Sequence, residues 1–412
     1  MLNAIWIGFF LTAIAAALFQ FLINGQQDIF ALLVKAGFDN AKTAFEIALG
    51  LTGVMCLWLG ILKIGERAGF LDLFARWLAP LFARLFPDVP RGHPALGSIT
   101  MNMSANLLGL DNAATPMGIK AMKELQALNP DKETASNAQI LFLVINASSI
   151  TLLPVTIFTY RAQMGAVDPT DVFIPILMAT YCSTLAGFAF VAAMQRIRID
   201  RVVLAWIAGI TAAVAGLALY FASLPADQMA PRSSLVSNAI LVGLIAVFLT
   251  GALVKRVNAY EAFIEGAKEG FQTAVTLIPY LVAMLVAIGL LRASGALDLA
   301  MDGARGLVAA LGYDARWVDA LPTMLMKPLS GSGARAMMIE TMQMHGADSF
   351  VGRLAGIVQG STETTFYVLA VYFGAVGIKR VRHAVAGGLI ADLAGFAAAV
   401  FAAYLFFGAI TN

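Results

Sequence analysis

Residues 326–337 read MKPLSGSGARAM: a lysine, a proline, two serines and two glycines set between long apolar stretches. Glycine and proline break helices, and a hydroxyl in lipid costs free energy unless something satisfies it. The stretch is therefore either a loop in water or a break at membrane depth, and the rest of the chain decides which. Hydrophobic residues make up 60% of the 412, charged residues only 13%, and the mean hydropathy is +0.81. Soluble domains carry about 25% charged residues. Several uncharged runs approach the roughly 20 residues that cross a bilayer as a helix. The class that follows is an all-α polytopic membrane protein.

Composition also excludes functions. A net charge of +2 with no concentrated basic surface excludes nucleic acid as a partner. Cys56 and Cys182 both sit in apolar runs and imply no disulfide framework, and His93, His345 and His383 show no metal-ligand spacing, so no metal or other cofactor is expected. The first apolar run, AIWIGFFLTAIAAALFQFLI, has no preceding Lys or Arg and no small-residue cleavage site after it, which suits a retained span better than a signal peptide.

Hydropathy places nine spans at roughly 4–23, 44–64, 138–160, 171–195, 202–222, 235–254, 272–291, 353–376 and 384–409. Two stretches, 69–137 and 295–350, are neither spans nor loops. Each opens with an amphipathic run, FLDLFARWLAPLFARLF or ALDLAMDGARGLVAALG, of the kind that lies along the interface, with Arg76, Arg84, Asp302 and Arg305 toward headgroups. Each continues into a segment dense in Gly, Pro, Asn and Ser.

The parallel extends to single residues. Gly69-Phe70-Leu71-Asp72-Leu73 matches Gly295-Ala296-Leu297-Asp298-Leu299, and the same offset aligns Ala41-Lys42 with Ala267-Lys268 and Glu46 with Gln272. Held without a gap, it carries Asn102, Ser104 and Asn106 onto Pro328, Ser330 and Ser332. After small gaps Asn146-Ala147-Ser148-Ser149 falls opposite Gln359-Gly360-Ser361-Thr362. The domain reading is an N-terminal span and connection (1–35), a first repeat (36–195), two linking spans (196–261) and a second repeat (262–412). Six crossings before the second copy and one before the first put the copies in inverted topology. The face holding the larger share of the 27 basic residues is then cytoplasmic, with the N-terminus inside.

Inverted repeats with discontinuous helices place a ligand near the midplane, where half-helix ends point at it. Each polar segment, SITMNMSANLLGLDNAATPMG (98–118) and MLMKPLSGSGARAM, is therefore read as a re-entrant helical hairpin. The substrate-binding candidates are Asn102, Ser104, Asn106, Asn112 and Thr115 in the first and Lys327, Ser330 and Ser332 in the second. Capping of ordinary interfacial helices explains any one of them equally well. A second polar set lies in the spans: Asn146, Ser148 and Ser149 in LVINASSITLLPVTIF, and Gln359, Ser361 and Thr362 in IVQGSTETTFYVLAVYFG. Ionisable residues inside spans are functional candidates by default. Glu363, on one helical face with Gln359, is the first choice for ion coupling, followed by Glu46, with Thr364 and Asp111 as auxiliary groups. Asp392 and Lys327 also fall at depths where a charge needs a partner.

The stretches HPALGSITMNMSANLLGLDNAATPMGIKAM, KPLSGSGARAMM and QGSTETTFYVLAVYFGAVGIKR closely resemble the spore maturation protein A and B families, joined here in one chain with the first half over about 1–195 and the second over about 230–410. Each half resembles the nucleoside recognition, or gate, domain, related regions of which occur in ferrous iron transporter B and in nucleoside transporters. The resemblance implies an integral inner-membrane protein with transporter-like hairpins, and neither family label establishes a substrate.

The leading expectation is a bacterial inner-membrane secondary transporter of a small polar solute, nucleoside-like or an amino or organic acid. No G-x-x-x-x-G-K-[ST] motif is present, so the driving force would be a proton or sodium gradient. The alternative is a non-transporting membrane protein that organises or regulates an envelope or spore maturation process. Neither H-E-x-x-H nor G-x-S-x-G occurs, and an enzyme is not expected. Gly50, Gly53, Gly387 and Gly388 permit close helix packing, within a subunit or in a homo-oligomer.

Overall fold

The computed structural model describes residues 2–148 and 151–409, and among these the chain is helical with no strand. Helix α1 (Leu2–Asn24) precedes a first series: α2 (Ile29–Arg67), α3 (Phe70–Leu85), α4 (Pro94–Leu107), α5 (Asp111–Leu128), α6 (Asn137–Ser148), α7 (Val155–Gln163) and α8 (Phe173–Gln195). Two connecting helices follow, α9 (Arg201–Ala222) and α10 (Ala226–Lys255). A second series repeats the order of the first: α11 (Ala259–Ala293), α12 (Ala296–Ala310), a 3-10 turn at Arg316–Ala320 leading into α13 (Leu321–Met326), α14 (Gly331–His345), α15 (Phe350–Ser361), α16 (Thr365–Gly374) and α17 (Ala384–Phe407).

Seven of these helices are long and apolar enough to cross a membrane: α1, α2, α8, α9, α10, α11 and α17. The nine continuous crossings expected from hydropathy are thereby corrected. The expected spans 138–160 and 353–376 are each two short helices, α6 with α7 and α15 with α16, with non-helical backbone at 151–154 and at 362–364. At 1.5 Å per residue, the 12-residue α6 and α15 are each about 18 Å long, too short for a hydrocarbon core about 30 Å thick. In the first, Pro154 stands immediately before α7 and cannot donate a backbone hydrogen bond. In the second, the run Ser361-Thr362-Glu363-Thr364-Thr365 offers hydroxyls that compete with the helical ladder, and Thr362 is fully extended (φ −147°, ψ 168°).

Two pairs of equivalent long helices, α2 with α11 and α8 with α17, pack on one another antiparallel. A Cβ on Gly270 of α11 would lie 2.7 Å from the Met55 carbonyl of α2, one on Gly266 would strike the Leu59 carbonyl, and one on Gly289 would strike Asn40, so one chain rises as the other falls. Likewise Gly187 of α8 sits against Ala391 of α17, while Gly395 sits against Ser183. Small residues let these backbones approach closely. Gly387 and Gly388 also pack inside the chain, against Val144 and Thr365. The amphipathic α3 and α12 begin after the left-handed glycines Gly69 (φ 86°) and Gly295 (φ 70°), which turn the chain sharply off α2 and α11.

Two large apolar cores result. One joins α2, α7, α11, α14 and α15 with parts of α8 and α17, and the other joins α3 to α6 with α16. At one end of the antiparallel α8–α17 pair, Arg161 pairs with Asp171 (2.9 Å) and Asp348 (3.1 Å), and Arg353 pairs with Asp171 (2.8 Å). At the opposite end the loop before α17 meets the loop before α6. There Lys379 pairs with Glu133 (2.6 Å), Arg380 pairs with Asp131 (3.1 Å), and the Ala135 amide donates to the Arg380 carbonyl. Each end is thus strapped by a loop of one series against a loop of the other.

Candidate functional site: a junction of broken helices

Both polar segments form helical hairpins. In the first, α4 runs to a tight turn at 108–110 and α5 returns; Gly109 takes φ +71°, and a Cβ there would come within 2.8 Å of the Leu153 carbonyl. In the second, α13 and α14 flank a turn at 327–330, and the Ser330 hydroxyl caps α14 by accepting from the Gly333 amide at 3.0 Å. The ungapped pairing of Asn102, Ser104 and Asn106 with Pro328, Ser330 and Ser332 does not hold here. The asparagines lie in the inbound helix α4, whereas Pro328 is in the turn and Ser330 and Ser332 open the return helix. The inbound limb of the second hairpin is shorter, so the register shifts before the tip.

Main-chain hydrogen bonds tie each hairpin tip to the break in the following span. The Leu152 amide donates to the Leu107 carbonyl (2.9 Å), and the Phe366 amide donates to the Pro328 carbonyl (2.9 Å). The two breaks are joined as well, because the Glu363 amide donates to the Ala147 carbonyl at 2.8 Å. Two C-terminal helix ends (α6, α15) and three N-terminal ends (α7, α14, α16) therefore meet in one zone halfway along α8 and α17. Freed carbonyls and freed N–H groups in one place can bind both signs of partial charge.

Polar side chains crowd this junction. Asn102, fully buried, donates to the Ala114 carbonyl (2.7 Å) and to the Tyr372 hydroxyl (3.3 Å), holding the two limbs of the first hairpin to α16. Asn106 donates to Asn146 Oδ1 at 2.9 Å, the same atom that accepts from Tyr372 at 3.4 Å. Thr184 donates to the Ser148 carbonyl that ends α6 (3.3 Å). Thr365 donates to Asp392 Oδ2 at 2.7 Å, both buried. Ser330 and Ser332 share a hydrogen bond of 3.2 Å, and Gly331 leaves room for Thr364, whose Oγ1 would lie 2.9 Å from a Cβ at that position. Lys327 and Gln359 are buried, Glu363 half-buried.

Most of the residues singled out from the sequence thus lie at or beside the junction, with differing roles. Ser104, Ser148 and Ser361 bond back to carbonyls of their own helices, Thr100, Ile145 and Val358, and so stabilise local structure. Thr115 is half-buried in α5. Asp111 and Asn112 open α5, and their side chains lie outside the described residues, as does Ser149. Glu46 is not part of the junction: it is exposed on the outer face of α2 and pairs with Lys42 at 3.7 Å, one turn away. Tyr372, Thr184 and Ser183 were missed. Tyr372 reads as one more apolar residue of YVLAVYFG, while the Thr-Tyr-Cys-Ser-Thr run at 180–184 was a usable signal, four hydroxyls in the middle of an apolar span. Two open clefts lie elsewhere, one along α11 from Tyr260 to Gln272 and one between Phe86 and Arg198.

The family model described as nucleoside recognition, or Gate, matches residues 48–164 and 274–379, more than half of the chain and most of both helical series. The chain belongs to the Gate family. Each matched segment of this Gate protein contains a hairpin tip and the broken span tied to it. Among curated relatives, spore maturation protein A of Bacillus subtilis (strain 168) is 42% identical over 188 residues, covering 45% of this chain and 92% of that protein. Spore maturation protein B of the same organism is 45% identical over 177 residues, 42% of this chain and 98% of that protein. Less than half of the Gate chain therefore suffices to cover either relative almost in full. No solved structure matches.

Proposed function

We propose that this membrane protein is a secondary transporter of a small polar solute, coupled to a proton or sodium gradient, with its site at the junction of the two broken spans and the two hairpin tips. The antiparallel packing of α2 on α11 and of α8 on α17 supports two copies in inverted topology, since an axis in the membrane plane reverses each helix relative to its equivalent. The chain resides in a bacterial cytoplasmic membrane with its N-terminus inside and carries out no covalent chemistry.

The observation that carries this reading is the set of main-chain ties at the tips. Non-helical backbone at membrane depth persists only where protein buries it or it lines a wet cavity. Here four such segments converge, with Asn106, Asn146, Lys327, Ser332 and Glu363 among them. A scaffold needing only mechanical stability would be served by four continuous helices. Solute-dependent thermal stabilisation of the purified protein tests the reading, using nucleosides, nucleobases, amino acids and dicarboxylates. One class is expected to raise the melting temperature of the wild type and to lose that effect in Asn106→Ala and Ser332→Ala. The names of the relatives refer to a process, spore maturation, rather than a solute. They favour the second reading, a protein that organises a maturation step, and that reading predicts no stabilisation by any class.

A further inference from the structure

Asp392 is the buried carboxylate of α17, 1% exposed, and its second oxygen, Oδ1, has no hydrogen-bond partner. Two further buried oxygens lack a hydrogen bond of normal geometry: Thr362 Oγ1, in the break after α15, whose hydroxyl lies beside the Asp392 carboxylate, and Ser183 Oγ, on α8. The Thr362 and Ser183 side chains both pack on Gly395, one turn along α17 from Asp392. A Cβ there would lie 2.8 Å from Thr362 Cγ2, 3.1 Å from Ser183 Cβ and 3.4 Å from Ser361 Oγ. Gly395 is glycine because three oxygen-bearing side chains occupy the space a methyl group would need. Gln359 Oε1, another acceptor without a partner, is on the last turn of α15 above them.

Unsatisfied buried oxygens cost about 1–3 kcal/mol each, so several together call for a common partner. The partner's chemistry is set by what surrounds it. Carboxylate, amide and carbonyl oxygens only accept, and a hydroxyl presents lone pairs to a cation. The C-terminal end of α15 adds freed carbonyls and the negative end of its dipole. The charged side chains that act most strongly on Asp392 are Lys327 and Glu363. With Asp392 they sum to two negative charges and one positive, so a single monovalent cation neutralises the group, whereas a divalent one overshoots. The matching turn of α8 carries Thr184, whose hydroxyl goes to the Ser148 carbonyl, so the carboxylate is present in only one of the two copies.

We infer that Asp392 Oδ1, Thr362 Oγ1 and Ser183 Oγ, with carbonyls ending α15, form an oxygen-lined site for a dehydrated monovalent metal cation of sodium size. This deepens the transport reading by naming the coupling ion and moving the principal carboxylate from Glu363 to Asp392. Its test needs no solute. Melting of the purified full chain would be followed in NaCl against choline chloride at constant ionic strength, from about pH 6 to about pH 8.

Sodium is expected to raise the melting temperature saturably in the wild type. Asp392→Asn, which keeps the shape and the Thr365 contact, abolishes the shift, while Ser183→Ala and Thr362→Val raise the half-saturating concentration about tenfold. Equal melting in sodium and choline, or a sodium shift that survives in Asp392→Asn, overturns the site. A response to pH with none to sodium assigns the group to a proton and overturns it too. If Asp392→Asn does not fold, the hydroxyl variants decide: unchanged half-saturation in both contradicts the proposal. A sodium shift lost in these variants alongside no stabilisation by any solute would retain the cation site and remove the transport reading, so the two fail separately.

Discussion

Arg161 has no accessible surface, yet it is accounted for atom by atom: Asp171 and Asp348 take its charge, and the carbonyls of Ala347, Pro169 and Asp168 take its remaining N–H groups. Breaking a buried pair by removing one partner costs about 3–5 kcal/mol, because the other charge is left uncompensated. Arg161→Met is therefore expected to destabilise the protein by that order, read as a lower denaturation midpoint in detergent, and adding Asp171→Leu is expected to recover part of it. A midpoint unmoved by the single change would show that the network holds nothing together. Nothing in the sequence marked Arg161, since an arginine at the end of an apolar run reads as an interfacial anchor. The junction residues were more legible: Asn146, Gln359 and Glu363 stand out because polar groups are rare in apolar spans. Asp392 was visible as a charge at depth, but the groups around it, Thr365 on α16, Thr362 in the break after α15 and Ser183 on α8, come from separate parts of the chain, a convergence that sequence spacing does not encode.

Among the elements, the hairpins were legible and the breaks were not. Gly, Pro, Asn and Ser concentrated at 98–118 and 326–337 gave the hairpins, and the amphipathic runs gave α3 and α12. The breaks after α6 and α15 were masked because hydropathy averages over a window wider than a gap of a few residues. Gly109 is where hairpin and break depend on each other. Gly109→Ala places a side chain in a left-handed conformation and against the Leu153 carbonyl, at a cost of about 1–3 kcal/mol. Hydrogen exchange is expected to accelerate at Leu152, whose amide bonds the tip, and protection as in the wild type would contradict the tie. The strap at the other level has a pH dependence. The Thr134 hydroxyl, the Glu133 amide and Arg380 hold the Asp131 carboxyl down at about 2, below its ordinary 3.8. A carboxylate lowered on folding stabilises above its unfolded value and loses that contribution as pH falls through its folded one. Spin labels at Pro130 and Gly374 should accordingly separate between about pH 4 and about pH 2, and in Asp131→Asn should already be apart at neutral pH. A distance equal in the variant and the wild type would discount the strap.

In the molecule as a whole, one order of helices occurs twice, with equivalent long helices antiparallel and an ionic strap at each end of the α8–α17 pair. The residue offset between Gly69 and Gly295 made the duplication legible up to the hairpins and failed at their tips, where the inbound limbs differ in length. That asymmetry, and a carboxylate in only one copy, leave the two halves related but chemically distinct. Under the proposed transport reading, two such halves meeting at their breaks would exchange which face the junction opens to as the straps open in turn. The most direct test is gradient-driven uptake in liposomes, with a pooled panel of solutes, imposed proton and sodium gradients, and the Ser332→Ala and Asp392→Asn variants alongside. Accumulation of one solute class is expected in the wild type, lost in Ser332→Ala and uncoupled from the sodium gradient in Asp392→Asn. Folded, inserted protein that accumulates nothing, or variants that transport as the wild type does, would contradict the transport reading.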